Sequence, residues 1–122
     1  MKILPILVAL TIISTNAQAQ DSSDWKDRYC STMSESSREL MKIRLSGSKI
    51  ANVERALKES YKGLPDTDVV YLRKQFELSI IRIAYQHYEM APETEHPGIL
   101  DDFENRIYIW CPGAIDTFLQ GR

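Results

Sequence analysis

The sequence predicts an all-α protein: an antiparallel four-helix bundle, with room for a short C-terminal fifth helix, stapled by one disulfide. Three observations predict it. Apolar residues recur at three- and four-residue steps in four separate stretches, and no stretch shows the two-residue alternation of a strand. Beyond residue 20, Gly and Pro fall between those stretches. The two cysteines, Cys30 and Cys111, stand near the start of the first stretch and at the end of the fourth. An up-down-up-down bundle makes those two places neighbours.

The first helix is expected from about Asp24 to Leu45. Tyr29, Cys30, Met33, Ser37, Leu40, Met41 and Arg44 share one face, and the small Ser37 lets a neighbour come close. Ser23 or Asp24 can cap its start, and Gly47 stops it. Arg44 lies on the apolar side, so its guanidinium is expected to pair with a carboxylate or with helix C-terminal carbonyls. The second helix runs from a Ser48 N-cap to Lys62, with Ile50, Val53, Leu57 and Tyr61 as its stripe and Gly63 and Pro65 ending it. The third starts after Asp66-Thr67 and reaches about Met90. Leu72, Phe76, Ile80, Ile83 and His87 form one stripe, widened by Leu78, Ile81, Tyr85 and Tyr88. A helix so apolar is expected at the centre. The segment Ala91 to Gly98 holds two prolines and is expected to be a loop with His96 exposed. The fourth helix runs from Leu100 to Cys111 on Leu100, Phe103, Ile107 and Cys111, and Pro112-Gly113 breaks it. Ala114 to Leu119 then forms the last short turn.

Residues 1–19 read as an export signal. Lys2 gives the positive start, Ile3 to Ile13 the apolar run, and Ala17-Gln18-Ala19 the cleavage site. Eleven apolar residues span about 16 Å as a helix, half of a ~30 Å hydrocarbon core, so a retained membrane anchor is disfavoured. The remaining 20–122 form a single helical domain, periplasmic or secreted in a Gram-negative bacterium. Export places two cysteines in an oxidising compartment, where a Cys30–Cys111 disulfide is the default. It would close about 80 residues, which chain entropy values at about 4 to 5 kcal/mol.

Composition excludes several functions. Lys+Arg total 15 against 17 Asp+Glu, which gives nucleic acid no electrostatic footing. Size excludes multidomain enzymes. No Gly-rich phosphate loop, G-x-S-x-G, H-E-x-x-H or EF-hand pattern occurs, so no catalytic residue, metal or cofactor is assigned. Charge is segregated along the chain. From Arg38 to Lys62 there are seven basic residues and three acids; between Arg82 and Arg106 there are six acids and no Lys or Arg. Asp101, Asp102 and Glu104 read as acids of a helix first turn, where the dipole favours them. Ile107-Tyr108-Ile109-Trp110-Cys111 is more apolar than one helix face can bury, so Tyr108 or Ile109 is expected to be exposed unless Phe118 and Leu119 fold over the strip. Glu93, Glu95, Asp101, Asp102, Tyr108 and Trp110 are therefore the candidate partner surface.

Tyr29-Cys30, Met41-x-x-Arg44-x-x-Gly47, Ala84-Tyr85 and Tyr108-x-x-Cys111 resemble a set of small exported one-disulfide helical proteins of Gram-negative bacteria and prophages. The resemblance implies export and a helical fold, and it carries no catalytic residues. The expected function is protein binding as an inhibitor, immunity-type or stress-related module. The alternative is a small-ligand or lipid carrier with an apolar cavity lined by Phe76, Ile80, Ile83, Phe103 and Ile107.

Overall fold

A computed structural model of the chain describes residues 3–122, with side chains from residue 24 onward. The expected export signal, 1–19, lies outside the residues described at side-chain level. Four α-helices and one 3-10 turn are present, with no strand among the described residues: α1 Ile3–Leu45, α2 Ile50–Ser60, α3 Asp68–His87 and α4 His96–Gln120, with the turn at Glu93–Glu95. The molecule is an all-α four-helix bundle. α1 is continuous through Ser23 and Asp24, so neither acts as a helix cap in this chain. Gly47 ends α1 at φ +94° and Gly63 follows α2 at φ +80°, a left-handed backbone that glycine adopts without steric cost. Thr67 caps α3, its hydroxyl accepting from the Val70 N–H at 3.2 Å.

α1 and α4 form the main seam. Cys30 and Cys111 are bonded, with Cα atoms 5.6 Å apart. Lys26 meets Asp116 on one side of that bond, and Arg38 meets Asp101 and Glu104 on the other, which is antiparallel order. Ser37 is fully buried and its hydroxyl turns back to the Ser34 carbonyl at 2.5 Å, so the small side chain lets the helices approach without leaving a polar group unpaired. Met33, Met41, Phe76, Ile80, Phe103, Ile107 and Ile115 fill the interior between α1, α3 and α4.

α2 differs from the other three helices. None of its residues is buried, and it packs chiefly on α3. Ser48 does not cap it; Lys49 is the N-cap residue, and the Ser48 carbonyl instead accepts the Tyr85 hydroxyl. Arg82 pairs with Glu54 at 3.2 Å, and the Tyr61 hydroxyl donates to Glu77. These three polar contacts clip α2 along α3, over Leu78 and Ile81, which are buried outside the main cluster.

Several boundaries depart from expectation. α4 does not break at Pro112: it runs to Gln120, and the expected fifth helix is its last two turns. An interior proline costs about 3 kcal/mol through the lost N–H and the clash with the carbonyl four residues back. Pro112 and Tyr108 lie on the exposed side, so that carbonyl can take water. Continuing the helix buries Ala114 and Ile115 and packs Phe118 on the core, and one fully buried aliphatic side chain alone returns about 1.5–3 kcal/mol. The segment from His96 to Gly98 is helical rather than loop, because Pro97 occupies the first turn, where its missing N–H would have no helical partner. α3 stops at His87, with Tyr88 in extended conformation. His87, the last residue of α3, is exposed, not buried, and it is Tyr88, beyond the helix end, that packs on the core against Phe103. His96 is half-buried, its Nε2 2.9 Å from the Ala91 carbonyl oxygen.

Candidate functional site

The outer surface of α4 gathers the candidate residues, but it divides them. At 3.6 residues per turn, Asp101 and Tyr108 fall on one flank and Trp110 on the other, with Asp102 on the line between them. The first flank faces α1, where Ser34, Asp101, Glu104, Asn105 and Tyr108 line a shallow hollow. The second faces α3, where the Trp110 ring meets Phe76 edge-on at 5.2 Å, and from that side the Tyr88 hydroxyl reaches across to donate to Asp102 Oδ2 at 2.7 Å. Ile109 stands between the flanks as a ridge, 70% exposed, beside Tyr108 at 41%. Phe118 covers part of Trp110, with ring centroids 6.2 Å apart, but leaves Tyr108 and Ile109 open.

The acids here are not first-turn acids. α4 begins at His96, which puts Asp101, Asp102 and Glu104 beyond its first turn. Arg38 of α1 clamps Asp101 at 2.6 Å and Glu104 at 3.0 Å. The basic and acidic blocks of the sequence thus meet in part at the surface, across the α1–α4 seam. Asp102 holds the Tyr88 hydroxyl, and burial together with that hydrogen bond pushes the tyrosine up to about 12. Arg106 stacks over the same ring at 5.5 Å. Glu93 and Glu95 are exposed and make no ion pair among the described residues, so they form the open part of the acidic end.

Arg44 takes the second of its expected partners. Its Nη2 donates to the carbonyl of Tyr88, just past the end of α3, at 3.1 Å, and its guanidinium lies 4.7 Å over the Tyr85 ring. A further polar cluster ties Tyr61, at the end of α2, to α3, beside Tyr29 of α1. Glu77 accepts from Tyr61 and from Arg73 Nε at 2.8 Å. Burial, then the nearby Glu77 charge, pushes Tyr29 up to about 12, and its buried hydroxyl has no partner. The cluster keeps two hydroxyls protonated and one carboxylate paired, an arrangement that joins helices. Among the described residues, no three or more His, Cys, Asp and Glu side chains gather as metal ligands.

Periodicity missed Arg106, Gly113 and Asp116 on the outward side of α4. They stand three, four and seven residues from Ile109, a helical spacing, and the expected break at Pro112 separates Gly113 and Asp116 from it.

Fold and surface define a disulfide-stapled antiparallel helical bundle with an exposed, partly apolar α4 ridge. The chain matches no family model, no curated protein and no solved structure. Among the described residues no helix is long and apolar enough to cross a membrane.

Proposed function

We propose that this chain is an exported protein-binding module of inhibitor, immunity or stress-related type, acting in the periplasm or outside a Gram-negative cell, and that it binds rather than catalyses. The export signal read at 1–19 and the disulfide support that location. The observation that carries the binding reading is the α4 ridge: Ile109 is 70% exposed at its centre, with Tyr108 and Trp110 beside it. Aromatic side chains at the centre of a surface patch anchor protein interfaces. Glu93 and Glu95, exposed at the end of that surface, favour a basic partner. The carrier alternative requires a void among Phe76, Ile80, Ile83, Phe103 and Ile107, and the packing of these side chains in one cluster favours binding instead.

The test is capture. The disulfide-bonded chain is immobilised and challenged with periplasmic extract and with proteins secreted by competing bacteria. A saturable partner should be retained and then lost with Ile109→Lys or with Glu93→Lys and Glu95→Lys together. Finding no saturable partner, or retention unchanged in these variants, sinks the reading.

A further inference from the structure

Six exposed residues of α4 lie along one line: Asp102, Arg106, Ile109, Gly113, Asp116 and Gln120. Their steps alternate between four and three residues, the spacing of a seam between two helices crossing at a shallow angle. The step pattern reads the same from either end, with its midpoint at Cys111.

We infer that this line is a self-complementary docking seam, and that its occupant is a second copy of the chain, with α4 antiparallel to α4. A two-fold axis at the midpoint pairs each position with its mirror: Ile109 with Gly113, Arg106 with Asp116, and Asp102 with Gln120 of the second copy. Each pairing is chemically matched. Ile109 is the most exposed large apolar residue of α4. No neighbouring heavy atom lies within 4 Å of the place where a Gly113 Cβ would stand. Gly113 also borders a hollow of about 370 Å³, but Trp110, Ala114, Thr117 and Phe118, which line the rest of it, lie to one side of this line, so on the line itself the knob meets bare backbone at Gly113. Arg106 and Asp116 carry opposite charges, and both remain accessible: Arg106 lies on the Tyr88 ring, and Asp116 keeps 58% of its side chain exposed beside Lys26. Asp102 can accept from the Gln120 amide.

A single helix pair buries less than the roughly 1,200 Å² at the low end of standard interfaces, so the dimer is expected to be weak and to dissociate on dilution. The inference rests on reading α4 as a binding face. It is measured on the purified chain alone, so a monomeric result overturns the dimer while the capture experiment still decides the binding of other proteins.

The experiment is sedimentation equilibrium of the disulfide-bonded chain over a wide concentration range, with helix content and the disulfide verified for each variant. The wild type should dimerise reversibly. Ile109→Lys should abolish association. Arg106→Asp and Asp116→Arg should each weaken it by about tenfold or more, because either one places like charges opposite each other at two symmetric places. An equimolar mixture of these two variants should associate again, since each then supplies the charge that the other needs. A chain that stays monomeric at every concentration overturns the inference. So does association unaffected by Ile109→Lys, or single reversals that are not rescued by mixing.

Discussion

α4 and α2 are both amphipathic, yet they are held in different ways. α4 lies along α1 with six buried residues, a disulfide and ion pairs on either side of it. α2 has no buried residue and is fixed to α3 by a half-buried stripe and three polar contacts. The comparison separates two quantities that a periodic pattern merges. The stripe says which face of a helix turns inward; the neighbours decide how deep it goes. Exposed polar clips are worth about 0–1 kcal/mol each, whereas removing a buried apolar side chain costs several. The fold is therefore a three-helix core with a fourth helix laid on its side.

The strongest way to break the contrast is to open the disulfide. Cys30→Ala with Cys111→Ala should lower stability by about 4 to 5 kcal/mol by the chain-entropy account, measured by urea unfolding. Met41→Ala, in the fully buried core, should cost about 2–5 kcal/mol in the same assay. Leu57→Ala on α2 should cost about 1 kcal/mol or less, because its side chain is only half-buried. Hydrogen exchange would sharpen this result: α2 amides should exchange through local opening, and amides near Cys30 and Ile107 only through global unfolding. A loss at Leu57 equal to that at Met41 would erase the distinction between the two regions. The smallest effect is alkaline. Tyr29 and Tyr88 are raised from the usual value near 10 to about 12, so the folded state favours their neutral form. That contribution is fully present below pH 10 and is lost as pH rises towards 12. Tyr29→Phe and Tyr88→Phe should flatten this decline in a pH series of melting temperatures.

Much of the architecture was legible in the sequence because its signals are local. The stripe through Met33, Met41, Phe76, Phe103 and Ile107, the stops at Gly47 and Gly63, and the placing of Cys30 and Cys111 at matching ends all follow from spacing. The misread places need information from elsewhere in the fold. The cost of Pro112 is visible in the sequence, but the burial of Ile115 that offsets it is tertiary. His87 has the right period, but α3 ends on it, and the extended Tyr88 takes the place on the core. On the candidate surface, the excess apolarity at Ile109 was readable. The pairing of Arg38 with Asp101 and Glu104, 63 and 66 residues away, was not. For the same reason Asp101 reads as a free acid of the helix start, when it is one of two carboxylates paired with Arg38 across the α1–α4 seam.

The Cys30–Cys111 bond also governs what a protease can do to this molecule. Its 81-residue span encloses all of α2 and α3 and both connections around α2. A cut beside Gly47 or Gly63, on either side of the least buried helix, would sever the backbone without releasing a fragment. The two pieces would stay joined and seated on the same core, and would migrate apart only after reduction. In a compartment rich in proteases, one covalent link turns a nick into a tolerable event.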